Sequence, residues 1–156
     1  MLKLLIFAPC EKVIIGEGGQ SSVIGVIEMI RLQVTDEPIP SDALIPFRWG
    51  FLTLWNRGES VEEPIKYQEQ VRIFRPDETD TGFQADAEFE VNMNFKNFRQ
   101  HNDNIPVFPA GMEGRYELRL FLRRAGEEAW EEHGRFPVII EHIKPNKEKQ
   151  DGQQES

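Results

Sequence analysis

The residues able to carry chemistry are few and scattered along this 156-residue chain. Its histidines are His101, with Asp103 close by, and then His133 and His142. A zinc site gathers three or four His, Cys or carboxylate ligands at recognisable spacing. Here no Cys-x-x-Cys exists and His133 and His142 have no local pairing, so no metal is expected. Asp77, Glu78 and Asp80 are oxygen donors of the kind a hard cation takes. They also suit an exposed hairpin tip, and no second acidic loop repeats their spacing. Cys10 needs a base and an orienting group to act as a nucleophile. It closes an apolar run instead, as an inert buried thiol does. Glu88 and Glu90 sit about 7 Å apart if extended, but carboxylates on a solvated strand face are the ordinary means of solubility. Gly16-Glu-Gly-Gly19 lacks the Lys-Ser/Thr and helix of a phosphate loop. No catalytic residue, cofactor or metal follows from these patterns.

Four residues remain as candidates for ligand binding: Trp49, Trp55, His101 and Asp103. Turned inward, the two tryptophans fill a core. On a concave face they could stack a sugar ring or an aromatic group.

The elements that must position these residues are extended. Ala85, Ala87, Phe89, Val91, Met93 and Phe95 alternate with Asp86, Glu88, Glu90, Asn92 and Asn94. A period of two gives a strand one apolar and one wet face. Residues 83–95 are therefore predicted as a half-buried antiparallel strand, hairpinned to a strand over 65–74 through the acidic turn 76–82. Further strands are expected over 2–8, as one run over 23–34, from 47, over 114–124, and over 130–143 with a break at Pro137. Residues 36–46 and 96–113 read as loops, rich in proline or in Asn, Asp and His.

One domain is expected at this length. Net charge is −9, from 27 acidic and 18 basic residues, which is poor footing for a phosphate backbone. No nucleic-acid partner is expected. A single cysteine excludes an internal disulfide and fits a reducing compartment. The apolar run from Leu4 to Ala8 is shorter than the ~7–15 residues of an export core, and no segment nears the ~18 residues needed to span a bilayer. A cytoplasmic protein without membrane contact is expected.

Together these signals predict an all-β, antiparallel two-sheet sandwich, Ig-like or jelly-roll-like, of about seven strands with little helix. A closed barrel is the other arrangement that would solve the same edge problem. The sandwich should occupy residues 1–143, with 144–156 a disordered polar tail. The order of signals resembles a bacterial family of uncharacterised β-sandwich proteins. It is carried by Cys10 after the first strand, Ser22-Val-Ile-Gly25-Val-Ile-Glu28, Pro46-Phe47, Gly114-x-Tyr116 and Phe136-Pro137. The resemblance implies the fold and no activity. The expected role is non-catalytic: binding to a protein partner or self-association, with the loops 36–46 and 96–113 as contact regions. A carbohydrate- or nucleotide-binding sandwich, or an enzyme whose site assembles only in three dimensions, are the other readings.

Overall fold

A computed structural model describes residues 2–145; the predicted tail beyond Pro145 lies outside the described residues. Nine strands follow one another, and among the described residues there is no helix: β1 (Lys3–Ile15), β2 (Ser21–Val26), β3 (Met29–Gln33), β4 (Ile45–Asn56), β5 (Ile65–Phe74), β6 (Asp80–Val91), β7 (Asn97–Phe108), β8 (Gly114–Arg124) and β9 (Glu131–Ile143). They form two sheets, ordered β2-β1-β4-β7 and β3-β9-β8-β5-β6. The architecture is a two-layer sandwich and not a closed barrel.

Its core follows from alternation. Trp49, Phe51 and Trp55 of β4 meet Val71, Ile73, Leu118 and Leu120 across the sheet interface, all buried. A large aromatic buries ~150–250 Å², worth about 5 kcal/mol of transfer free energy at ~25 cal/mol per Å². Trp49 and Trp55 therefore anchor the interior. The expected β5–β6 hairpin is present, with Tyr67 opposite Phe89 and Val71 opposite Ala85.

Several expectations are corrected. There are nine strands rather than about seven, and not all pairing is antiparallel. The run over 23–34 is not one strand: Gly25 adopts a φ of 65°, Ile27 N–H donates to Pro9 O, and the chain crosses between sheets. The second half, β3, then pairs parallel with β9 from Met29↔Ile139. Its continuous β-branched composition hid the crossing.

Residues 97–108, read as part of a loop, are the edge strand β7. An edge strand tolerates Pro106 and a bulge, and here the register with β4 shifts between Trp49↔Ile105 and Phe51↔Asn102. Asn104 takes a φ of 59° in that bulge. Gly50 makes it possible, since a Cβ there would lie 2.2 Å from Asn102 O.

Met93 and Phe95, expected to continue the inward row of β6, lie past its end and are exposed. Pro137 does not break β9: β3 pairs with that strand only from Ile139 onward, so the missing donor disrupts no second ladder.

Candidate binding site on the four-stranded sheet

Leu52 alternates with Phe51 and so points away from the core, yet it is buried. With Cys10 and Val13, and with Val23 packed against them, it makes a second, smaller apolar cluster on the outward face of the four-stranded sheet. The cover comes from the β1–β2 hairpin. β1 pairs with β4 only as far as Cys10↔Gly50, while Lys12–Ile15 pair with β2 alone. The arm thus runs past β4 and folds back over the sheet. Its tip reaches β7, where Arg99 Nη1 donates to Gly19 O at 2.6 Å and Ser21 Oγ at 2.8 Å.

Between arm and sheet lies an open, mostly apolar groove of about 950 Å³. Its floor is Ile6, Ala8, Leu52 and Leu54; Val23 and Val26 of β2 stand on one side, Phe95 and Arg99 on the other. The floor rows follow from register: Ile6 lies opposite Leu54, and Leu54 opposite Arg99. Beyond the groove, Ile14, Ile15 and Ile24 of the arm are also exposed.

The candidate residues divide between the two sides of this sheet. Trp49 and Trp55 have no exposed surface; Trp49 Nε1–H donates to Val107 O at 2.8 Å and Trp55 Nε1–H to Glu69 Oε1 at 3.0 Å. They offer no ring face to a ligand, and core filling is the role their geometry supports. His101 and Asp103 do come together, Nε2 to Oδ2 at 3.9 Å, both partly exposed. His101 is opposite Leu52, so the pair borders the groove floor.

Cys10 sits beneath the arm. Burial, and then the charge of Asp103, push its thiol up to about 11, against a weaker opposing backbone hydrogen bond at Lys12. It stays protonated and is no nucleophile at neutral pH.

The other carboxylates weighed from the sequence are spent locally. Asp77 Oδ1 accepts from the backbone N–H and hydroxyl of Thr79, which hold its carboxyl below the usual range. Asp80 Oδ1 accepts from Gly82 N–H, and Glu78 pairs with Arg119. Among the described residues no group of three or more His, Cys, Asp or Glu side chains converges as a metal site would require. Glu88 accepts from Gln68 on the outward face of the five-stranded sheet.

That face carries a polar depression of about 580 Å³, lined by Gln68, Gln70, Arg72, Asp86, Glu88 and Trp130. Its groups satisfy one another: Arg123 Nε–H donates to Gln68 Oε1 at 2.8 Å, Gln70 Nε2–H to Asp86 Oδ1 at 2.8 Å, and Arg72 to Gln70.

Sequence reasoning missed the groove because its floor residues come from strands whose register it did not assign. The arm's exposed Ile14, Ile15, Ile24 and Val26 were the available signal: both strands of one hairpin are apolar on residues that no single core face can absorb.

No family model matches the chain, and no curated protein matches it significantly. Among solved structures, an immunoglobulin-like protein from Pseudomonas aeruginosa aligns over 90% of this chain and 96% of its own, at 7% identity and a TM-score of 0.39. The N-terminal domain of PorA aligns over 88% of this chain and 97% of its own, at 6% identity and a TM-score of 0.30. The resemblance to a bacterial sandwich family thus has no family model behind it. Among the described residues no helix is long and apolar enough to cross a membrane.

Proposed function

We propose that this protein is a non-catalytic binding module that docks another protein by adding the partner's strand to the free edge of β2. The observation that carries the reading is the character of that edge. A sheet edge exposes unpaired N–H and C=O groups, and proteins blunt it with charge, proline or a bulge. The sandwich has four such edges. β3 carries Arg31, β6 carries Asp86, Glu88 and Glu90, and β7 carries Arg99, Asp103, Pro106 and its bulge. β2, Ser-Ser-Val-Ile-Gly-Val, has no charge and no proline, and Ile24 and Val26 are 46% and 48% exposed. An unprotected apolar edge beside a groove is what strand addition uses: main-chain hydrogen bonds supply affinity, and alternate side chains enter the groove.

The inert Cys10 and the mutually satisfied polar face support a binding role over a catalytic one. A photo-crosslinking residue at position 24, with another at position 86 as control, tests the reading in cells that express the chain. One dominant adduct from position 24, to a partner or a second copy, and none from position 86 is expected. Equal labelling from both positions, or none from either, would sink it.

A further inference from the structure

The geometry points to a carboxylate on the docked strand, an acidic side chain or a free C-terminus, received by Arg99 at the end of the groove. The inference rests on strand addition at β2 and adds the chemistry of what is recognised.

Arg99 lies in the row Ile6–Leu54–Arg99 that crosses the groove floor. Both of its hydrogen bonds leave from Nη1 and end on neutral oxygens, Gly19 O and Ser21 Oγ. Among the described residues it makes no ion pair within 4.0 Å, and neither Nε nor Nη2 has an acceptor within hydrogen-bond distance. The guanidinium therefore holds the arm with one nitrogen and presents its Nε/Nη2 side unpaired. That side has the fork spacing that takes a carboxylate in two parallel bonds. In a chain of net charge −9, an unpaired cation beside apolar surface is a selective feature. Among the described residues, Arg119 and Arg135 are engaged by Glu117, Arg31 by Glu141 and Arg123 by Gln68, while Arg48 and Arg115, which also make no ion pair, do not line the groove.

Glu90 also lines the groove, from the neighbouring sheet, where its cross-strand neighbour is Lys66. A simple acyl acid would satisfy Arg99 and the apolar floor. It would leave the backbone edge of β2 unpaired, whereas an extended peptide satisfies all three.

The test is a titration of the ¹⁵N-labelled full chain with acetyl-Lys-Thr-Val-Thr-Val-Thr-Val as free acid and as C-terminal amide, and separately with oleate. The acid should bind roughly tenfold more tightly than the amide, the scale of one charge-assisted bond. The preference should vanish in Arg99→Gln and weaken in Arg99→Lys, which keeps charge but loses the fork. Ser21→Ala, which removes an arm contact and leaves the guanidinium, should retain it. Slow labelling of Cys10 by a maleimide verifies in each variant that the arm is still seated. Equal binding of acid and amide overturns the carboxylate while leaving strand addition standing. Failure of both peptides together with failure of the position-24 crosslink removes both readings. Binding of oleate without either peptide overturns the proposal in favour of an amphiphile.

Discussion

On the outward face of the five-stranded sheet, Arg72 lies over the Phe121 ring at 4.9 Å, Arg119 over Phe74 at 4.0 Å and Arg123 over Trp130 at 4.2 Å, with Arg72 and Arg119 opposite each other in one cross-strand row. Glutamines and carboxylates from β5 and β6 fill the spaces and bond to one another. On the outward face of the four-stranded sheet, the corresponding rows read Ile6–Leu54–Arg99 and Ala8–Leu52–His101. The first face has exposed polar groups whose partners are already present. The second has apolar surface and, at the groove, an arginine whose ionic partner is not. A polar depression can therefore have most of its groups bonded to one another, while a plain apolar groove leaves its surface uncovered. Contiguous apolar surface of this kind marks interaction sites.

The comparison breaks most severely at Gly50. Its missing side chain lets the β7 bulge cross β4, with Asn102 O only 2.2 Å from where a Cβ would stand. That bulge sets the register of His101 and Arg99 on the outward face. Gly50→Ala should cost about 3 kcal/mol or more, the upper range for forced overpacking, because the clash is with backbone that no rotamer relieves. Urea unfolding measures it; a loss under about 1 kcal/mol would show that the bulge re-forms elsewhere.

Between the two faces lies a buried acid. Glu69 is 1% exposed; Oε1 accepts from Trp55, while Oε2 and the neighbouring Thr53 Oγ1 have no partner within hydrogen-bond distance. Burial raises its carboxyl above the ordinary carboxylate range of about 4.5, more than the hydrogen bond from Trp55 lowers it. A folded-state pKa above the unfolded value means that its stabilising share is present at acid pH and fades as pH rises through the folded value. Glu69→Gln keeps an acceptor for Trp55 and adds a donor toward Thr53. It should stabilise the protein at neutral pH by about 1–3 kcal/mol, the usual cost of an unsatisfied buried polar group, and should flatten the decline above pH 4.5. A wild-type stability that rises from pH 5 to 8 with Glu69 as the cause would contradict this assignment.

How far the sequence carried this picture depends on the pairing distance. The β5–β6 hairpin was legible because alternation, an acidic turn and a local partner agree. β8, with Tyr116, Leu118, Leu120 and Leu122 inward, was legible for the same reason. β7 was not, because an edge strand with Asn, Asp, His and proline carries loop composition. The division of 23–34 was not, because Gly25 alone marks where one sheet ends and crossing begins. Of the candidate residues, His101 and Asp103 lie 3.9 Å apart, as neighbours in sequence on one strand face allow. Trp49 and Trp55 went inward, where aromatic burial outweighs any stacking role. Arg99 was invisible, since its meaning depends on an arm 80 residues earlier in the chain.

A smaller effect separates the two outward faces. Trp130→Ala removes the exposed Arg123 stacking and should cost about 0.5–1 kcal/mol, with no change in crosslinking from position 24. A coupled loss of both would mean that the two faces communicate through the core.

The smallest expected change in stability is the most discriminating for function. Ile24 is exposed on the outer strand of its sheet, opposite Lys12 of β1 and outside the core clusters, so Ile24→Lys removes no core contact, and its effect on unfolding should stay within about 0.5 kcal/mol. The same substitution places a charge on the one edge that lacks it, the device by which edges are closed to added strands. Native-state binding of the apolar dye ANS should fall. Peptide affinity should fall too, while Gln84→Lys, at an already charged edge of the opposite sheet, should leave both unchanged. If Ile24→Lys preserves peptide binding, the edge of β2 is not where the partner's backbone lies. The groove would then have to be filled by side chains alone, with the hydrogen-bonding groups of the partner satisfied elsewhere.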